Sequence, residues 1–174
     1  MTIHQYGIVS REEVKALTGK EVLEAIVAGQ LPQALTSEHN SFWLVEVGDG
    51  TAVFEGEPGR HLCNPTGTVH GGWALTLIDS AAGCAGHSLL PAGIGYTTIE
   101  TKANFSRPIL PTAGRIRCEG RVVSRGRQII STEAWVKDQA GKERVATGKT
   151  MPDSQLEVMD YYVDGVVGQL PKKP

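Results

Sequence analysis

Asp79 is the residue whose type and position most clearly suggest chemistry. It lies within the stretch 71–86, which is otherwise apolar and rich in small residues. Aspartate is a poor residue for a helix interior and is costly to bury without a partner. One interpretation places Asp79 on a narrow solvent-facing stripe with Thr76 and Gly83. The other holds it in a pocket, where desolvation and neighbouring groups tune a carboxylate for acid–base or nucleophilic catalysis.

His70, Gly71 and Gly72 stand at the start of the same stretch. Two glycines let a ligand approach the backbone closely, and the first N–H groups of a helix have no partner within it. Such groups can donate to a carbonyl oxygen and stabilise the oxyanion that it becomes. A simpler interpretation is that the glycines permit a tight turn and that His70 bonds to backbone. His70 is the weaker catalytic candidate, because no nucleophile or orienting residue accompanies it in sequence.

The elements that must position these residues follow from the hydrophobic periodicity. The stretch 71–86 is apolar on nearly every side, which predicts a buried central helix. Before it, alternating residues around Gly48-Asp49-Gly50 predict a β-hairpin. After it, alternation predicts four strands, at 95–106, 115–123, 128–137 and 143–151. This order predicts an α+β fold, in which an antiparallel sheet of about five to six strands wraps round one long helix.

One core can absorb the 174 residues of the chain, so the sequence predicts a single main domain with additions at both ends. Ser10 and Glu13 have the spacing of a capping box, and helical periodicity continues, with a break, to Gly29. We therefore expect an N-terminal helical extension over 1–40 and the main domain over 41–152. The segment 153–174 has weak periodicity and is expected to be a tail that is partly ordered at best.

Composition argues against several other classes of protein. With 17 basic and 19 acidic residues, the net charge of −2 does not suit a non-specific binder of nucleic acid or membrane surfaces. No apolar run approaches the ~20 residues that span a bilayer, and residues 1–11 do not resemble a signal peptide. Three scattered cysteines suit a reducing cytoplasm. His61, Cys63 and His70 match no standard zinc spacing, so we expect no metal site.

Two segments together resemble a known family. Residues 64–79 read NPTGTVHGGWALTLID and residues 95–109 read GYTTIETKANFSRPI. Both resemble the PaaI-type branch of the hotdog-fold acyl-CoA thioesterases, and the likeness runs from about residue 42 to about residue 151. The resemblance implies hydrolysis of acyl-CoA thioesters by a homodimer, which in this family frequently pairs into a homotetramer. It implies no metal or redox cofactor.

The family's functional residues can be carried over one at a time. The resemblance implies that the Gly71 N–H and the Asn64 amide bind the thioester oxygen, and that Asp79 is the catalytic carboxylate. A hydroxyl on the strand after the helix, which helps to orient water in some members, falls on Thr98. Some members also carry a threonine one turn after the carboxylate, but here Gly83 occupies that position.

The spacing of Gly71 and Asp79 requires a second chain. They are eight residues apart on one helix, which at about 1.5 Å per residue separates them by about 12 Å. That is too far for both to act on one carbonyl carbon. Two antiparallel helices across a two-fold axis can bring Gly71 and Asn64 of one chain to Asp79 of the other. We therefore expect two equivalent sites at a dimer interface.

The turn formed by Arg125, Gly126 and Arg127 is a candidate site for the phosphates of coenzyme A, because guanidinium groups suit phosphate. A solvated hairpin turn explains the same residues equally well. Gly72, Trp73 and Tyr96 are candidates to line the acyl pocket, although Trp73 equally suits packing at an interface.

Several alternatives remain open at this point. Asp79 can act as general base or attack directly to give a mixed anhydride. The acyl group can be aromatic, such as phenylacetyl, or of medium length. A hotdog-fold hydratase or dehydratase is a rival, but the motifs typical of those enzymes are not found. A non-catalytic acyl-CoA-binding module is the other rival, and it would not need Asp79.

Overall fold

The computed structural model describes residues 4–146 and 165–169. The N-terminal extension comprises five short elements: β1 (Tyr6–Gly7), α1 (Arg11–Val14), α2 (Gly19–Val27), β2 (Gln33–Ala34) and α3 (Leu35–Asn40). The predicted capping box is present, because the Ser10 hydroxyl accepts the Glu13 N–H while the Glu13 carboxylate accepts the Ser10 N–H. Helix α2 ends just before Gly29, whose φ of 72° few other residues adopt. The two short helices were predicted, whereas α3 was not.

The main body contains one long helix and eight strands within the described residues. They are β3 (Phe42–Gly48), β4 (Thr51–Gly56), α4 (Gly71–His87), β5 (Tyr96–Glu100), β6 (Asn104–Phe105), β7 (Ile116–Arg125), β8 (Ile129–Lys137), β9 (Glu143–Ala146) and β10 (Gly165–Gln169). The strands pair in the order β3-β4-β7-β8-β10-β5, and the short β9 joins β8 to β6. Every pairing in this sheet is antiparallel. The predicted hotdog architecture is therefore confirmed.

Helix α4 is the buried centre of the fold. Its core-facing residues are almost all small or apolar: Trp73, Ala74, Leu77, Ile78, Ala81, Ala82, Gly83, Ala85 and Gly86. It crosses the sheet at Gly120, where an added β-carbon would lie 2.3 Å from the carbonyl oxygen of Ala81. Residues two apart on a helix point about 200° away from each other. With Ala81 against the sheet, Asp79 is directed to the opposite, more open side of the helix.

Two predictions need correction, and a third falls partly outside the described residues. The segment 95–106 is not one strand, because the chain leaves β5 after Glu100 and pairs again only at β6. The predicted strand at 143–151 is observed as β9, and residues 147–151 lie outside the described part of the chain. The boundary that assigned 153–174 to a tail is wrong for β10, which pairs with both β8 and β5. Strand β10 lies between β8 and β5 and pairs with each of them, whereas β8 and β5 do not pair with each other. Pairing between segments so far apart in the chain leaves no local signal in the sequence.

The N-terminal extension covers the β3 edge of the sheet. The buried side chain of Gln33 pairs with Leu44 of β3 twice, donating to its carbonyl oxygen and accepting its N–H, both at 3.0 Å. The amide side chain thus acts as one residue of an extra strand. Leu23 of α2 is 3% exposed and belongs to the main core. The extension is therefore integrated into the domain.

Candidate active site

Asp79 is half-buried on α4 and is held by two hydroxyl groups. Thr98 donates to its Oδ1 at 2.9 Å, and Thr101 donates to the same oxygen at 3.1 Å. Its other oxygen, Oδ2, has no hydrogen-bond partner in the described part of the chain. The arrangement thus presents one fixed and one available carboxylate oxygen.

Strand β5 and helix α4 lie alongside each other in register. Two strand residues advance about 6.7 Å, and four helical residues advance about 6 Å. Accordingly Thr98 meets Asp79, and Tyr96 meets Gly83. A β-carbon at position 83 would lie only 3.0 Å from the Tyr96 hydroxyl oxygen, so glycine is needed there. The packing of Tyr96 explains why no threonine follows the carboxylate by one turn.

The surroundings of Tyr96 are apolar and dry. Its hydroxyl is hydrogen-bonded to Cys84, and burial raises the pKa of the Cys84 thiol to about 12. Burial, with smaller contributions from Cys84 and Asp79, also raises the pKa of Tyr96 well above its ordinary value. The His87 ring lies 5.1 Å from the Tyr96 ring, and burial lowers the pKa of His87. All three groups are therefore neutral near pH 7.

The N-terminus of α4 leaves one backbone donor available. His70 is the N-cap residue: its Nδ1 accepts the Gly72 N–H at 2.9 Å and its carbonyl oxygen accepts the Trp73 N–H at 3.0 Å. The Gly71 N–H has no partner in the described residues, since helix geometry provides none at this position. Gly71 is half-buried against Phe105, 3.2 Å from an added β-carbon, which explains the glycine. The unpaired N–H suits an oxyanion.

Asn64 is fixed in the loop before α4 with its amide N–H groups available. Its Oδ1 accepts hydrogen bonds from the hydroxyls of Thr66, at 2.8 Å, and Thr68, at 3.2 Å. The backbone of Asn64 also accepts the Gly67 N–H and donates to the Thr68 carbonyl oxygen, both at 3.0 Å. Because the side-chain oxygen is occupied, Nδ2 remains as the free end of the amide. Asn64 and Gly71 thus both offer donors at the start of α4.

The structure does not bring all the predicted site residues together. Asn64 and Gly71 lie at the start of α4, whereas Asp79 and Thr98 meet two turns further along. His70 serves as a helix cap, and its imidazole has no contact with Asp79. Thr101 was missed, although it contacts Asp79 as directly as Thr98 does.

Trp73 and Gly72 have structural roles that differ from the predicted substrate contact. Trp73 is 3% exposed, and its indole N–H donates to the Asn40 carbonyl oxygen at 2.7 Å. Its ring packs over Gly56 of β4, where an added β-carbon would lie 2.9 Å away. In this chain the observed role of Trp73 is therefore packing, and its predicted contact with the acyl group stays a prediction. Gly72 lies against the His70 ring, 2.8 Å from an added β-carbon.

The predicted phosphate-binding turn is an exposed β-hairpin. It joins β7 to β8, and the Gly126 N–H closes it by donating to the Ile129 carbonyl oxygen at 2.8 Å. Arg125 and Arg127 are exposed and, within the described residues, have no carboxylate partner. Other arginines of the sheet do form ion pairs: Arg115 with Glu55 and Glu57, Arg117 with Glu46, Glu55 and Glu119, and Arg121 with Glu133. Within the described residues, Arg125 and Arg127 thus lack the ion pairs that hold Arg115, Arg117 and Arg121.

Two kinds of feature are absent from residues 4–146 and 165–169. No group of three or more histidine, cysteine, aspartate and glutamate side chains is arranged to hold a metal ion. None of the helices in this part of the chain is long and apolar enough to cross a bilayer.

Comparison with known proteins identifies the family. The model of the thioesterase superfamily matches residues 66–145, which include Asp79 and Thr98. The candidate esterase SSO2140 of Saccharolobus solfataricus is 30% identical over 99 residues, covering 57% of this chain and 69% of that protein. The chain belongs to the thioesterase superfamily. It is therefore a hydrolase that acts on thioesters.

Solved structures share the hotdog fold of this superfamily thioesterase. The conserved protein PA5202 of Pseudomonas aeruginosa is 29% identical, with a TM-score of 0.64 over 78% of this chain and 94% of that one. The PaaI protein of the Escherichia coli phenylacetic acid degradation operon is 18% identical, with a TM-score of 0.63 over 78% and 84%. The thioesterase HI1161 of Haemophilus influenzae is 15% identical, with a TM-score of 0.65 over 90% and 93%. The last two show the fold alone.

Proposed function

We propose that this thioesterase hydrolyses acyl-CoA and that its sites form between two chains. In each site, Asp79 of one chain acts on a thioester whose carbonyl oxygen is bound by Gly71 and Asn64 of the other. The acyl group is aromatic, such as phenylacetyl, or of medium length. Arg125 and Arg127 bind the phosphates of coenzyme A.

The observation that carries this proposal is the separation of complementary groups along α4. Unpaired donors, the Gly71 N–H and the Asn64 amide, lie at the start of the helix, while the available oxygen of Asp79 lies about 12 Å further along. The start of the helix therefore has the donors without the carboxylate, and the region around Asp79 has the carboxylate without these donors. An antiparallel second copy of α4 places the donors of one chain opposite the carboxylate of the other, twice.

Within residues 4–146 and 165–169, the sheet has an open edge at β5, which supports pairing of two chains. Strand β5 ends the strand order and carries Thr98, so a partner at this edge lies next to Asp79. Ile99, on the same strand, is an apolar side chain that is 62% exposed. The opposite edge, β3, is already covered by Gln33. A second chain is therefore expected at β5.

The groups suffice for hydrolysis by either of two routes. In the first, Asp79 Oδ2 takes a proton from water while the water oxygen attacks the carbonyl carbon. In the second, Oδ2 attacks that carbon itself, and water then hydrolyses the mixed anhydride. In both, the carbonyl oxygen becomes an oxyanion held by the Gly71 N–H and Asn64 Nδ2. The C–S bond then breaks, and coenzyme A leaves as its thiolate and is protonated by solvent.

Release of free thiol from a panel of aromatic and medium-chain acyl-CoAs tests the activity. We expect turnover by the wild type and a loss of at least about 1000-fold in kcat for Asp79→Asn, because the variant has no basic or nucleophilic oxygen. Asp49→Asn is the matched control, since Asp49 is exposed and bonded to Lys20. Binding of acyl-CoA without turnover by the wild type would identify a binding module and refute the proposal.

Mixing of subunits tests whether the site spans two chains. Homodimers of Asn64→Ala and of Asp79→Asn each lack one component in both sites. A mixed dimer contains one intact site and one site lacking both components. Random reassociation in equal amounts should therefore restore roughly a quarter of the wild-type activity per chain. If the mixture stays as inactive as its parents although mixed dimers form, the two-chain site is wrong.

A further inference from the structure

Asp79 Oδ1 and Oδ2 differ in their surroundings. Oδ1 accepts two hydroxyl hydrogen bonds, from Thr98 and from Thr101, and Oδ2 accepts none from the described residues. The terminal torsion of an aspartate side chain is broad and nearly two-fold, so one hydrogen bond leaves the carboxylate free to rotate. A second donor to the same oxygen restrains this rotation further. The two donors also fix which oxygen faces the substrate.

Both donors come from the strand side because the helix side cannot supply one. Thr76 and Ser80, the hydroxyl residues beside Asp79 on α4, donate to the carbonyl oxygens of Gly72 and Thr76, each at 2.9 Å. Position 83, one turn further on, is a glycine, and a β-carbon there would lie 3.0 Å from the Tyr96 hydroxyl oxygen. A second hydroxyl at Asp79 therefore has to come from outside the helix.

Thr101 reaches Asp79 because β5 ends at Glu100. Along a continuing strand, residues three apart point to opposite faces, and Thr101 would point away from Thr98. Once the chain has left the strand, the Thr101 side chain turns back to the same carboxylate oxygen. Thr101 is half-buried, which shields this hydrogen bond from competing water.

We propose that Thr101 is a positioning residue for hydrolysis, which together with Thr98 holds Asp79 Oδ1 so that Oδ2 is the reacting oxygen. This inference rests on the proposed function, because it assigns a role within the same site. Loss of the Thr101 hydroxyl should leave substrate binding intact but reduce the fraction of carboxylates aligned for reaction. The effect should therefore fall on kcat and spare KM.

Three variants at one position separate the hydroxyl from the packing. Thr101→Val keeps the shape and removes the donor, and we expect kcat to fall by about 10- to 100-fold with KM unchanged within about twofold. Thr101→Ser restores the donor and should return kcat to within about threefold of wild type. If circular dichroism shows that Thr101→Val does not fold, Thr101→Ala provides the same test, because it also removes the donor. Thr97→Val is the matched control, because Thr97 lies exposed on the other face of β5.

Failure of this inference and failure of the proposed function give different results. If wild type hydrolyses no acyl-CoA, the proposed function is wrong. If wild type is active and depends on Asp79, but Thr101→Val keeps full kcat, the role of Thr101 is wrong. A serine variant as impaired as the valine variant would likewise overturn it, because packing and not the hydroxyl would then matter.

Discussion

Gly120 of β7 and Ala81 of α4 approach each other so closely that no β-carbon fits between them. A β-carbon on Gly120 would lie 2.3 Å from the Ala81 carbonyl oxygen and 2.9 Å from the Ala82 nitrogen. Both obstructing groups are backbone, so they cannot move aside as a flexible side chain would. This contact sets the height of α4 above the sheet, and with it the position of Asp79 relative to Thr98.

We therefore predict that Gly120→Ala destabilises the protein. Adding a methyl group here forces helix and sheet apart, and overpacking of this kind costs about 1–3 kcal/mol or more. Urea unfolding followed by circular dichroism measures the change. Gly95→Ala is the control, since an added β-carbon at Gly95 meets no atom within 4 Å. Equal midpoints for the two variants would show that the contact is not tight.

The stability of the protein should fall as the pH drops below about 6.5, in part through His87. Burial lowers the pKa of His87 in the folded state, so between the folded and unfolded pKa values the unfolded chain binds more protons. The free energy of unfolding then decreases as pH falls through that window. Urea unfolding between pH 7.5 and about 5.5 measures this slope. The variant His87→Gln should have a smaller slope, whereas His39→Gln, at an exposed histidine, should keep the wild-type slope. An unchanged slope in His87→Gln would contradict the prediction.

Arg125 and Arg127 should affect only substrates that carry the phosphates. Replacing both with alanine removes two exposed guanidiniums that lack carboxylate partners in the described chain, and we expect KM for acyl-CoA to rise about 5- to 50-fold. The same acyl group on N-acetylcysteamine, which carries no phosphate, should react as with wild type. Arg11→Ala is the control at an exposed arginine of the N-terminal extension. Equal losses on both substrates would contradict a phosphate contact.

Much of the fold could be predicted because it depends on local signals. The small apolar residues of 71–86 predicted α4, which is observed at Gly71–His87, and Gly48-Asp49-Gly50 predicted the turn between β3 and β4. By contrast, β10 and the pairing of Gln33 with Leu44 depend on partners distant in sequence. No periodicity within a short segment reports such partners.

The candidate site could be predicted at residues that the family resemblance covers. The prediction did not anticipate side chains that have a structural role in this chain. The resemblance assigned Thr98 to the site as a residue that orients water, and its hydroxyl is observed to donate to Asp79 Oδ1. Thr101 was missed because strand alternation puts it on the opposite face, and only the end of β5 reverses this. Trp73 was a candidate either for the floor of the acyl pocket or for packing, and its ring is observed in the core. The polarity and spacing of residues in the sequence do not reveal that Thr101 faces the carboxylate or that Trp73 packs in the core.

The Gln33 side chain at the β3 edge affects how copies of this protein associate. An exposed sheet edge is a template for adding another strand, and a molecule with two such edges can stack without limit into a fibre. Gln33 occupies the outward N–H and carbonyl oxygen of Leu44 and so closes one of the two ends of the strand order. In the dimer that we propose, growth through the edge at β5 stops once two molecules have paired. Replacing Gln33 is then expected to turn this self-limiting association into an open-ended one.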